Sequence, residues 1–409
     1  MSRHKGLYAW YQILQERFCH LSVPQVRVLT KWCFGMVLAR TCGLTAVAVM
    51  LSGILKEREG TVRQCLREWY LGANDKSGEH RRQLDVETCF APLLNWILSL
   101  WSGTKLSLAL DATTLKSRFA VLAISVLYRG CAIPVAWTVL PANQKGGWRR
   151  HWLRMLSLLR PVVSSEMQVL VFADRGLYAP WLFAHICELG WHPMLRVNAE
   201  GTFCPSSSKE HLPFCHFCSQ PGQSWRGTGV AFKHSRSLLA CTLLASWSRE
   251  AEEPWFILTD LPPEMAQADW YSQRAWIERG FKVLKREGWQ WHRTRMDDPE
   301  RAARLWLVLA VGTLLNICVG TEELENADRD QSRNVMRPAC FWDPPLRSSS
   351  VSLFKRGWIA ILTAFIQGEQ PPLGYLSPDN GHYGRESPEC ITPMPCRANL
   401  AYLIPKTYT

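Results

Sequence analysis

Apolar residues recur at helical spacing through the first hundred positions. SVPQVRVLTKWCFGMVLAR, with its Pro-containing start, and GLTAVAVMLSGIL predict two helices. KEREG predicts a turn, and TVRQCLREWYLG a third helix with Thr61 as its N-cap. Two helices joined by a short turn form a helix-turn-helix pattern in which Arg63, Gln64 and Arg67 face DNA; an ordinary helical hairpin with a solvated face fits the same residues. GANDKSGEHRR, at 72–82, predicts an exposed loop.

From about 105 the pattern changes. LSLALDATT is an apolar run ending in Asp111. FAVLAISVLY and CAIPVAWTVL predict two strands joined at Arg129-Gly130 as a hairpin. QKGGWRRHWLRMLSLLR predicts a basic helix, and MQVLVFADRGLY a buried strand ending in Asp174. APWLFAHICELG then predicts a helix and WHPMLRVN a strand, so the segment is a mixed α/β layer. Residues 201–262 predict a β insertion, with GVAFKH, SLLACTLLASW and PWFILTDLP as short strands. Helix returns from 264 to 320. Beyond that the chain is polar, then rich in Pro and Gly, and is interrupted by the helical SLFKRGWIAILTAFIQG. The last forty or so residues predict irregular or disordered chain.

One helix is amphipathic in an unusual way. In YSQRAWIERGFKVLK, 271–285, Tyr271, Arg274, Glu278, Lys282 and Lys285 share one face at about 100° per residue, while Trp276, Ile277, Val283 and Leu284 share the other. A lone carboxylate thus sits in a stripe of phosphate-seeking residues on a helix anchored by its back. A solvated charged face is the ordinary explanation of such a stripe.

Composition narrows the partners. The 47 Lys and Arg exceed the 35 Asp and Glu, giving a net charge of +12 over 409 residues and favouring a polyanion. Hydrophobic residues reach 47%, which excludes a disordered chain. The 20 Trp supply core and, at the surface, faces for bases to stack on. The 15 Cys lack a regular framework and the opening MSRHKGLYAWYQ does not read as a secretory signal, so a cytoplasmic protein with reduced thiols is expected. CFGMVLARTCGLTAVAVMLSGIL is broken by Arg40, and LWLVLAVGTLLNICVG is short, so both predict buried helices rather than membrane spans.

Asp111 and Asp174 each close a run too apolar for a surface strand, at the strand rim where α/β sites assemble. A lone acid there is ordinarily a cap or turn residue. Two of them together with Glu278 are suited to holding two Mg²⁺ ions about 3.5–4 Å apart, the arrangement that activates a water or a 3′-hydroxyl against a phosphodiester.

Tyr271-x2-Arg274-x3-Glu278-x6-Lys285 resembles the Tyr-Arg-Glu-Lys (YREK) signature of bacterial insertion-sequence DDE transposases, with LDATT and FADRG similar to the strands carrying that family's two Asp. The resemblance spans about 105–320 and implies an RNase-H-like mixed-sheet catalytic core with a β-strand insertion and an all-α N-terminal domain. It also implies an Asp111–Asp174–Glu278 triad binding two Mg²⁺, with Mn²⁺ able to substitute, and backbone contacts to transposon-end DNA from Tyr271, Arg274 and Lys285. Trp255, in PWFILTDLP, matches the position at which some relatives stack a flipped base; a packed strand residue is the alternative. The implied division is a helical DNA-end-binding domain at 1–100 and a catalytic core at 105–200 and 264–325 around the insertion at 201–262; outside the resemblance, 326–409 is expected to be a partly disordered C-terminal tail with dimerisation as its candidate role. The implied function is cut-and-paste transposition on double-stranded transposon ends and target DNA, by a homodimer on DNA. A related metal-dependent nuclease without strand transfer and an inactive DNA-binding relic remain as alternatives. Outside the resemblance, Cys204, His211, Cys215 and Cys218 form a loose candidate zinc set.

Overall fold

The computed structural model describes residues 5–76, 81–144, 147–235, 237–334 and 351–377. The chain opens with α1 (Lys5–Arg17), α2 (Val23–Ala39), α3 (Leu44–Leu55), α4 (Glu59–Tyr70) and α5 (Phe90–Ser99). Then come β1 (Lys105–Leu115), β2 (Phe119–Tyr128), β3 (Cys131–Pro141), α6 (Trp148–Leu159), β4 (Gln168–Ala173), α7 (Pro180–Glu188) and β5 (His192–Arg196). Next are β6 (Thr202–Pro205), β7 (Leu212–Pro213), α8 (Phe214–Phe217), β8 (Ser224–Ala231), β9 (Leu239–Ser246) and β10 (Trp255–Thr259). Three helices follow: α9 (Ala275–Lys282), α10 (Pro299–Asn334) and α11 (Leu353–Ile366). The described residues form two compact units, one of 5–173, 188–191 and 273–377 and the other of 174–187 and 192–272.

In the first unit the strands lie in the order β3-β2-β1-β4. β1 with β2 and β2 with β3 are antiparallel, whereas β1 and β4 are parallel from Lys105↔Gln168 to Leu110↔Ala173, so the sheet is mixed. Every residue of β2 is buried, as its unbroken apolar sequence requires of a strand covered on both faces. The β2–β3 turn places Arg129 and Gly130 at φ 44° and 84°, the two left-handed positions of a type I′ hairpin. The register slips at Ile124/Ser125, opposite Pro134, which has no N–H to donate and is tolerated on the outer strand β3. β1 does not end at Asp111: it continues to Leu115, paired with β2, after its parallel register with β4 has stopped.

The N-terminal helices form as the pattern predicts, with one shift. α4 begins at Glu59 with Arg58 as N-cap, so Thr61 is already inside the first turn. An acidic residue at the start of the helix meets the exposed N–H groups there, and Thr61 has no cap to provide. α2 and α4 pack on α10, with Trp69 donating Nε1–H to the Arg304 carbonyl at 2.8 Å. From β3, Trp137 donates to Ala303 O at 2.9 Å. Trp289 donates to Thr313 Oγ1, also at 2.9 Å. Much of the tryptophan content therefore fills the core, and these three indoles satisfy their one donor there. The most apolar window of α10 is 94% buried inside this packing, as a core helix requires. α11 crosses α10 at two glycines. A Cβ on Gly320 would lie 1.9 Å from Leu353 O, and one on Gly357 only 1.8 Å from Asn316 O. Residues 335–350 and 378–409, most of the expected tail, lie outside the described residues, as do 77–80 of the expected loop.

In the second unit the strands run β5-β10-β9-β8-β6-β7, each antiparallel to its neighbour. The expected β insertion also carries the short helix α8, whose Phe214 stacks on Phe256 at 5.5 Å. Of the candidate zinc set, Cys204 Sγ donates to the Pro205 and Ser208 carbonyls and Cys218 Sγ to Gln223 O, while Cys215 is exposed.

Candidate functional site

The signature segment changes winding along its length. Residues Ala268–Arg274 are 3₁₀, Ala275–Lys282 are α and Val283–Glu287 are a π turn, closed by Gly288 and Trp289 N–H groups both reaching Val283 O at 2.9 and 3.1 Å. The uniform α-helix expected over 271–285 is thus replaced by three windings, and π turns of this kind recur at functional sites. α9 packs against β1, β2 and β3. Ile277, Phe281 and Leu284 are buried as its back, but Trp276 is only half-buried. Gly280 lets the helix settle on β3, since a Cβ there would come within 2.9 Å of Ala132 Cβ.

Arg274 is the hinge of the first unit's polar cluster. Its guanidinium donates to Asp111 Oδ2 at 2.9 Å and to Glu278 Oε1. The Arg274 side chain is 12% exposed, that of Asp111 18% and that of Glu278 56%. The i,i+4 step along the helix places Arg274 beneath Glu278, and the packing of α9 on the sheet brings it to β1. Asp111 Oδ1 also accepts from the backbone N–H of Ala112 at 2.8 Å. Two residues further along β1, on the same strand face, Thr113 Oγ1 accepts from Lys285 Nζ at 2.7 Å. Burial, chiefly, and then the neighbouring Arg286 charge lower the Lys285 pKa, against the opposing pull of Asp111.

In the second unit, Asp174 Oδ1 accepts from the Tyr271 hydroxyl at 3.3 Å and lies 3.7 Å from Arg196 Nη1. Arg196 also donates to Glu253 at 2.6 Å, a bond that holds the Glu253 carboxyl below its usual range. Tyr271 is buried rather than open, its ring edge-on to half-buried Trp255 at 5.3 Å. The structure therefore joins Asp111, Arg274 and Glu278 in one cluster, Lys285 to the same strand, and Asp174, Tyr271 and Trp255 in another. Among the described residues no three His, Cys, Asp or Glu side chains stand gathered as a metal ligand set. Two partners escaped the sequence pattern. Arg196 ends an apolar run in the sequence as Asp111 and Asp174 do, a cue applied only to acids; Thr113 is the i+2 neighbour of Asp111.

Carboxylates on a strand and a helix, each held by a cation that also suits phosphate, are the parts of a protein that works on phosphodiesters. The model of the Transposase DDE domain family matches residues 103–315, just over half the chain, and the protein belongs to that family. Among solved structures the chain is similar to piggyBac transposase, seen by cryo-electron microscopy in a synaptic complex with hairpin DNA. The identity is 12%, the match covers 89% of this chain and 78% of that one, and the TM-score is 0.38. No curated protein matches the chain.

Proposed function

We propose that the protein is a DNA transposase of the YREK group that moves an insertion sequence by cut-and-paste, with an RNase-H-like core and Asp111, Asp174 and Glu278 as its triad. The observation that carries this is the Arg274 guanidinium held by both Asp111 and Glu278. It shows that the two carboxylates already share one cation, which suits them to share another. Two features of the sheet support the core assignment. Three antiparallel strands are extended by a parallel fourth, and the β1–β4 register runs out at Leu110↔Ala173, one residue before each Asp in sequence.

Asp111, Asp174 and Glu278 would hold the divalent ions, hard oxygen donors for Mg²⁺ or Mn²⁺. When bound, such ions lower the pKa of an attacking water or 3′-hydroxyl and stabilise the leaving oxygen. The chain's own residues do the rest. Arg274, released from the carboxylates, and Lys285 grip phosphates beside the scissile one, while Tyr271 orients Asp174 through its hydroxyl. Trp255, with its ring against Tyr271, offers a face to a displaced base. The exposed Arg63, Gln64 and Arg67 on α4 offer a second DNA contact for end recognition. Two ends must be cut together, so a homodimer on double-stranded DNA is the working unit.

The test is purified protein incubated with the DNA flanking its own gene. Mg²⁺-dependent nicking at the ends and joining to a target duplex support the proposal. Cleavage without joining would indicate the nuclease, and DNA binding without cleavage the relic.

A further inference from the structure

Past Thr113, β1 leads into a turn that carries exposed Lys116 at φ 53°. The segment after the signature helix is fastened to that turn. Arg118 donates from Nη1 to Met296 O and from Nη2 to Thr294 O, both at 2.7 Å. Phe119 stacks on buried Trp291 at 6.1 Å and 14°, and His292 Nδ1 contacts the Lys285 carbonyl. These ties fix Arg293 and Arg295 beside the β1–β2 turn, and both are exposed. Neither they nor Lys116 enters an ion pair among the described residues. Thr114 and Ser117, beside Lys116 in sequence, are also exposed, and none of these positions is an exposed large apolar side chain that a membrane or protein groove would take up.

We infer that Lys116, Arg293 and Arg295 form a ledge that binds the phosphate backbone of duplex DNA on one side of the cut, with Arg118 as the residue that positions it. This rests on the proposed transposase function and extends it to a DNA contact outside the signature. Three cations without partners on a doubly anchored segment cost little ordering entropy when phosphates arrive. Their place follows from the strand. At about 3.3 Å per residue, Lys116 lies roughly 16 Å along the chain from Asp111. That is two to three phosphate steps, so the ledge engages nucleotides about two to four from the scissile bond. Bases are not read from this position; the contact fixes the register of the duplex.

The experiment compares full-length wild type with the Lys116→Gln/Arg293→Gln/Arg295→Gln variant, and with Arg295→Glu alone, on the flanking-end duplex. Affinity is followed by fluorescence anisotropy between 50 and 200 mM salt, and phosphate contacts by ethylation interference. The ledge predicts that the triple variant lowers the slope of log affinity against log salt by about 2–3, since each phosphate contact contributes about 0.9. It also predicts loss of interference two to four nucleotides from the cut, with interference at the cut retained. All three residues are exposed and bear no ion pair among the described residues, so melting temperatures should match wild type, and Arg295→Glu alone should lower the slope by about one or slightly more, because it also adds a repelling charge. An unchanged slope and footprint in both variants, with wild type binding and cleaving, overturns the ledge alone. A wild type that neither binds nor cleaves its flanking DNA overturns the transposase proposal and the ledge with it.

Discussion

Arg274→Ala separates the two tasks assigned to this residue. In the free protein the guanidinium neutralises two carboxylates that would otherwise face each other across the site. The bond to Asp111 joins side chains that are 12% and 18% exposed, so it counts as a largely desolvated, charge-assisted pair worth about 1.5–3 kcal/mol. The bond to Glu278, which is 56% exposed, is screened by solvent and contributes about 0–1 kcal/mol. The variant should therefore lose about 1.5–4 kcal/mol of stability without metal, visible as a lower melting temperature. Metal should repair part of the loss, because a divalent ion supplies the missing positive charge. For the same reason the DNA-free variant should bind Mn²⁺ more tightly than wild type, where Arg274 competes for the ligands. Recovering even 1.4 kcal/mol of that competition gives about tenfold. Calorimetric titration of Mn²⁺ into both proteins, with melting curves at each metal concentration, measures the two effects together. Equal melting temperatures and equal Mn²⁺ affinities would refute the competition.

Asp111→Asn should abolish Mg²⁺-dependent cleavage while end binding in a gel-shift assay stays within a few fold, whereas Lys285→Ala should weaken binding and reduce the salt slope by about one. Because burial lowers the Lys285 pKa, its charge and its phosphate contact are lost as pH rises through that lowered value, below the usual lysine range. Its charged form is disfavoured by folding, so stability rises with pH across the same window while DNA affinity falls. Lys285→Arg should remove the alkaline fall in affinity measured by anisotropy. Gly357→Ala drives a methyl against the Asn316 carbonyl and should cost about 3 kcal/mol, read as a lower midpoint in urea; an unchanged midpoint would mean that α11 does not press on α10.

The strands were legible because their apolar runs admit only buried, two-sided packing, and the Arg129-Gly130 turn because I′ hairpins need residues tolerant of positive φ. The stripe on the signature helix was legible for the same reason of periodicity, but its winding was not. A constant 100° per residue put Trp276 in the core, where the structure puts Phe281 and leaves Trp276 half-buried. Thr61 failed as a cap because a start signal two residues upstream was equally good. Arg196 and Thr113 were invisible as site residues because partnership across strands is a matter of which strands are neighbours. Sequence order does not state that β5 lies beside β10.

β1 acts as a ruler for the cations that lean on it. Asp111 and Thr113 are alternate residues of one strand, so their side chains stand about 6.7 Å apart. Arg274 is tied to the first and Lys285 to the second, although eleven residues separate the two cations in sequence. In the DNA-free protein their spacing is thus copied from the pleat of the sheet and not from the pitch of a helix that changes winding between them. Neighbouring phosphates on a DNA strand are spaced at roughly the same interval, 6–7 Å. The stiffest part of the fold therefore sets the gauge, and the helix is free to distort as long as its two long side chains still reach the marks. A single residue inserted into β1 between Asp111 and Thr113 would turn one mark to the opposite face of the sheet and destroy the match, with every residue of the signature intact.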